Sequence, residues 1–255
     1  MCRRELRANN SGQLLIVGAL AIAILISVTT VYVYELGNET NSVDVRSINN
    51  FILAIKQSTR NTMISSLANV SNGGERIVLT ANLDKLSEIV RNLHQFGISQ
   101  LNFGVLNDSV YDSGIWLSWN TNNLGVSSAC ANFTLKVYGI GVNVSLDYAF
   151  NITTSIVVNG YYIKLANEEK MVNLTCRVYN EGEYALVKEF NIFYEKFGEW
   201  KPVNSLNGLS IINYGNGTYT ISFTADTPSE KVQVLVNTYD LRDIFVQANT
   251  TCSEV

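Results

Sequence analysis

Hydrophobic and polar positions follow three different regimes along this chain. From Leu14 to Tyr34 no residue is charged. A helix of that length, at about 1.5 Å rise per residue, spans ~32 Å, close to the hydrocarbon core of a bilayer. After Gly37 and Asn38 the pattern becomes amphipathic. Val45, Ile48, Ile52, Ile55 and Thr59 recur at helical spacing and predict a helix reaching Leu67, ended by "NVSNGG" at 69–74. Leu83, Leu86, Val90 and Leu93 predict a second helix over Leu83–Phe96, with Asn82 placed to cap it and Gly97 to stop it.

Beyond residue 98 the period changes to two. "ANFTLKVYGIGVNVSLDYAF" reads as two strands joined at Gly139–Gly141. "TTSIVVNGYYIKL" reads as a hairpin with Asn159-Gly160 at its tip, the dipeptide that two-residue turns favour. In "MVNLTCRVY", Val172, Leu174, Cys176 and Val178 share one face. In "GNGTYTISF", Tyr219, Ile221 and Phe223 do the same, and "KVQVLVNTY" reads as a buried strand.

The apolar stretch is too long for a cleaved secretory signal, whose hydrophobic region runs roughly 7–15 residues before a small-residue site. Val31 to Tyr34 stand where that site belongs. Arg3, Arg4 and Arg7 precede the stretch and predict a cytoplasmic N-terminus with the remainder outside. The expected location is therefore the cell membrane. Ala19, Ala23 and Ser27 recur every four residues, a spacing of small side chains that lets two helices approach closely.

The segment "RRELRANNSGQLLIVGALAIAILI" resembles the N-terminus of archaeal type IV pilin-like proteins. The resemblance covers about 25 residues. It implies a basic leader removed by a prepilin peptidase between Gly12 and Gln13, and a mature chain that begins with its hydrophobic helix. Two positions depart from the pattern: Ser11 precedes the glycine, and Val17 stands where many pilins carry Glu. The segment from about 168 to 255 resembles an immunoglobulin-like β-sandwich, with "VNLTCRV" as a second strand and "NGTYTISF" as a tyrosine-corner strand. Ile221 occupies the place of the second cysteine of antibody-type domains, so that disulfide is not expected.

The expected fold class is thus α+β. It comprises a leader (1–12), a transmembrane helix (13–36), a helical stalk (37–97), an antiparallel β region (98–167) and an Ig-like sandwich (168–255). The net charge is −4; the N-terminal flank contributes +2, which leaves −6 for the rest. An acidic body argues against nucleic acid as a partner. Only 16% of residues are charged, and apolar content is ordinary at 47%, so the composition is globular. N-x-[ST] triplets begin at Asn38, Asn69, Asn107, Asn132, Asn143, Asn151, Asn173, Asn216 and Asn249, a density that fits a glycosylated exterior. Cys130, Cys176 and Cys252 are candidate disulfide partners, and an odd number allows one internal bridge at most.

Catalytic patterns are missing. His94 is the one histidine, and there is no G-x-S-x-G, phosphate loop, dinucleotide fingerprint or metal-ligand spacing. Asp108 and Asp112 lack the alternation of a calcium loop. Trp116 and Trp119 suggest a sugar platform or an edge strand closing the core. No enzyme activity, cofactor or metal is expected. Two functions follow. One is a pilin-like surface assembly subunit, with the membrane, identical or related subunits and the prepilin peptidase as partners. The other is a membrane-anchored surface module that keeps its leader and binds a glycan or an envelope protein.

Overall fold

The structure, a computed structural model, describes residues 26–27, 29–30, 47–93, 97–139, 142–166 and 168–255. The chain divides into two compact units, Met1–Ala54 and Ile55–Val255. In the first unit the described residues are helical. The second unit holds the strands and the core described below.

Helix α1 spans 47–71 and α2 spans Ile77–Asn92. Within the second unit α1 buries Ile55, Thr59, Met63, Leu67 and Val70, a narrow stripe at helical spacing. Full burial of side chains the size of Met63 and Leu67 stabilises by roughly 1.5–3 kcal/mol each. Thr59 fits in this stripe because its hydroxyl donates to the Ile55 carbonyl at 2.8 Å and meets the Tyr148 hydroxyl at 3.1 Å. The helix stops at Asn72-Gly73, where Gly73 takes φ +95° and its N–H reaches the Val70 carbonyl. Helix α2 starts six residues before the expected point, and Asn82 lies inside it. There Asn82 donates to Ser66 Oγ of α1 at 3.0 Å instead of capping a terminus.

Among the described residues twelve strands follow: β1 Ile98–Val105, β2 Ile115–Thr121, β3 Leu124–Gly139, β4 Val142–Lys164, β5 Glu169–Asn180, β6 Glu183–Tyr184, β7 Val187–Lys196, β8 Glu199–Pro202, β9 Ser210–Asn213, β10 Thr218–Asp226, β11 Val232–Asp240 and β12 Phe245–Glu254. Strands β3, β4, β5, β10 and β9 form one sheet in that order, with β1 and β2 sharing the outer edge of β3. Strands β8, β7, β11 and β12 form the second. All of these pairings are antiparallel. The two sheets join where the end of β12 runs parallel to β4, pairing Ser253 with Tyr161 and Glu254 with Tyr162. Between the sheets lies one core, in which Ile156, Val158, Tyr162, Leu174 and Cys176 cluster with Val234, Val236, Val246, Ala248 and Cys252.

Strand β4 organises the whole unit. Its residues 142–157 pair with β3, and 154–164 pair with β5. β3 ends at Gly139 and β4 begins at Val142, with residues 140–141 outside the described residues, and no turn occurs at Asn159-Gly160. Gly160 continues the strand because a Cβ there would stand 2.5 Å from Leu174 Cδ2 and 2.6 Å from Cys252 Sγ. The glycine serves a close approach between sheets, and period-two reasoning mistook it for a turn. At the other end, Phe133, Leu135, Val137 and Leu101 are buried on the face shared by β3 and β1. Leu79 of α2 lies against this region, 2.9 Å from where a Cβ on Gly114 would stand.

The β11–β12 turn is pinned by a buried charge pair. Asp240 has a fully buried side chain, and Arg242 Nε donates to its Oδ2 at 2.7 Å. Asp240 Oδ1 accepts the N–H groups of Arg242 and Ile244, and the Thr154 hydroxyl donates to Oδ2 at 2.8 Å. The remaining guanidinium nitrogens reach Glu181 Oε1, the Thr153 carbonyl and Thr154 Oγ1. One turn of the second sheet is thereby tied to β4 and to the end of β5.

Three expectations need correction. The fold class is mostly β, because the period-two regime builds strands as long as 16 and 23 residues while the described helices form a layer beside them. Among the described residues no helix is long and apolar enough to cross a membrane. That finding does not fit a single-pass anchor or the cell-membrane location drawn from it. Helix α1 carries Lys56, Gln57, Arg60 and Asn61, and its apolar stripe is used up inside the unit. The structure carries no evidence for the glycosylated exterior read from the N-x-[ST] triplets. The stretch 13–36 itself lies outside the described residues, apart from Ile26, Ser27, Thr29 and Thr30.

Candidate interaction surfaces

Gly12, Gln13, Ala19, Ala23, Asn38 and His94 lie outside the described residues; Ser27 is exposed on a helix. Asn69, Asn107, Asn132, Asn143, Asn151 and Asn216 are exposed, whereas Asn173 and Asn249 are half-buried. Strand register gathers some of them. Thr134 pairs with Asp147, Asn132 with Ala149 and Cys130 with Asn151, so Asn132, Asn143 and Asn151 share the outward face of β3 and β4. That face is polar, with Thr134 donating to Asp147 at 2.6 Å, and Ser128 donating to Asn151 at 2.9 Å.

Beside this face runs an open strand edge. Along 142–152, β4 pairs with β3 on one side and, among the described residues, with no strand on the other. At about 3.3 Å per residue this edge is ~33 Å long. It contains no proline, its pairing with β3 shows no register shift, and Asp147 is its one charge. Proteins usually blunt such edges, since their unpaired N–H and C=O groups template a further strand.

The two tryptophans do not form a platform. Trp116 meets Tyr111 edge-on, with centroids 6.0 Å apart, and Tyr111 in turn reaches Ser128 on the outward side of β3. Trp119 packs edge-on against Phe245 at 5.0 Å, and its Nε1 donates to Ser127 on the inward side. Asp108 accepts the N–H groups of Val110 and Tyr111, which hold its carboxyl below the usual range, and Asp112 pairs with Arg76 at 3.0 Å. Both aspartates are thus turn and surface groups.

Cys130, Cys176 and Cys252 are free thiols. Cys176 and Cys252 share the sandwich core, and burial pushes each of them up to about 12. Cys130, half-exposed on β3, is raised by burial and then by Asp108. At pH 8 the two core thiols are almost wholly protonated, so native-state alkylation is expected to modify Cys130 first. Peptide mass mapping over time checks this; rapid labelling of Cys176 would contradict it. The same shifts link stability to pH. A thiol whose pKa rises on folding from 9.0 to about 12 stabilises the fold fully below pH 9. That contribution is lost as pH climbs through 12. The thermal midpoint is therefore expected to fall above pH 9, and Cys176→Ala should flatten the fall.

Sequence reasoning missed the Asp240–Arg242 pair and the amide-lined hollow beside Asn249. The signal for the first was "YDLRDIF", where an aspartate opens a turn between two strand patterns. The second is assembled from three separate segments and has no local signature.

No protein-family description, curated protein or solved structure matches this chain.

Proposed function

We propose that this protein is a non-catalytic assembly subunit of the pilin-like kind. In this reading a leader ends at Gly12, and the mature chain begins at Gln13. Its apolar stretch then packs with the same stretch of neighbouring subunits through Ala19, Ala23 and Ser27. The observation that carries the reading is the role of α1. The helix that leads out of the N-terminal segment is built into the β unit by Thr59, Met63 and Leu67, all fully buried. A subunit that assembles through its N-terminus needs the helix that follows it to be anchored in its β unit. The open edge of β4 supports self-association as well.

The test is the mass of the mature chain isolated from its native host. Gln13 is expected as the first residue, and Gly12→Leu should leave the leader in place and block assembly. A functional chain that retains Arg3, Arg4 and Arg7 would overturn the proposal.

A further inference from the structure

A hollow of about 430 Å³ opens where the β2–β3 turn meets β11 and β12, lined by Asn122, Asn123, Gln233, Asn249, Thr250 and Thr251. Its volume lies in the range of small-molecule sites, roughly 300–1,000 Å³. Among the described residues the walls are four carboxamides and two hydroxyl residues, without a charge or an aromatic ring. Main-chain bonds fix the rim. The Asn123 N–H donates to the Asn249 carbonyl at 3.0 Å, and the Val158 N–H donates to the Asn123 carbonyl at 2.8 Å. Asn122 and Asn249 also bridge in parallel. Among the described residues no side-chain hydrogen bond engages any of the six; Gln233 and Thr251 pair across β11 and β12 and share an outward face with Asn249, while Thr250 alternates toward the core.

We infer that this hollow binds a neutral carbohydrate of one or two sugar units. A carboxamide offers a donor and an acceptor side by side, the complement of two adjacent sugar hydroxyls. Absence of cationic side chains disfavours phosphate and carboxylate ligands, and absence of aromatic walls disfavours nucleobases. The fixed rim lowers the ordering cost of binding. The hollow is built wholly from residues of the second unit, and the inference does not depend on the assembly reading.

Saturation-transfer NMR on the full chain tests it, with glucose, galactose, mannose, N-acetylglucosamine and cellobiose as probes, and glucuronate and inorganic phosphate as charged comparisons. At least one neutral sugar is expected to bind with a Kd of about 1 mM, a level suited to a shallow polar site. Gln233→Ala, on an exposed strand position, and Asn249→Asp should each weaken that binding at least about tenfold, a loss of one decade in Kd. The unfolding midpoint of both variants should stay unchanged. No transfer to any neutral sugar, equal binding by both variants, or preference for glucuronate or phosphate would overturn the inference.

Discussion

Replacing Asp240 by alanine is expected to cost about 3–5 kcal/mol, the usual cost of stranding one member of a buried ion pair. The carboxylate is fully buried, while the Arg242 side chain is only 16% exposed. Removing the acid leaves a guanidinium in low dielectric with Glu181 as its remaining ionic partner. It also orphans the N–H groups of Arg242 and Ile244. The loss falls on a turn that ties β11 and β12 to β4, so it is a loss for the whole sandwich. Urea unfolding measures it directly. Asp240→Asn keeps an acceptor for the backbone N–H groups and should cost less. A change below about 1 kcal/mol for Asp240→Ala, the level of a surface bridge, would show that the pair is solvated.

Leu67→Ala should cost about 2–5 kcal/mol, a range set by how far the emptied site can collapse. Leu67 is fully buried on α1, within the stripe that runs from Ile55 to Val70. Leu206, 94% exposed in the turn Ser205–Asn207, is the matched comparison. Leu206→Ala is expected within ±0.5 kcal/mol of the parent, as for a surface change. Equal, small effects at the two sites in urea unfolding would mean that α1 is not part of the core.

The strands were the most legible feature of the sequence. Val172, Leu174, Cys176 and Val178 face the core as their alternation predicts, as do Tyr219, Ile221 and Phe223. The tyrosine of the corner-like strand behaves differently from the Ig pattern: its hydroxyl accepts the N–H of Val187, 32 residues upstream. What failed were inferences in which a local signal stood for a tertiary one. Asn159-Gly160 carries a turn composition, but its glycine answers to Leu174 and Cys252 across the sandwich. Gly125 serves a close approach of the same kind, since a Cβ there would stand 2.0 Å from the Gln247 carbonyl oxygen. Asn82 has cap chemistry, yet a serine on the neighbouring helix claims it. The amide hollow brings together the 122–123 turn, residue 233 and residues 249–251, and no periodicity marks such a convergence.

Electron microscopy of the mature chain, set beside a variant carrying Ala19→Leu, Ala23→Leu and Ser27→Leu, tests the central claim most directly. The assembly reading predicts uniform filaments for the parent. It predicts their loss in the variant, whose bulky side chains hold the helices apart while far-UV circular dichroism reports the same β content. A parent chain that remains monomeric under all conditions, or a variant that forms the same filaments, would contradict it.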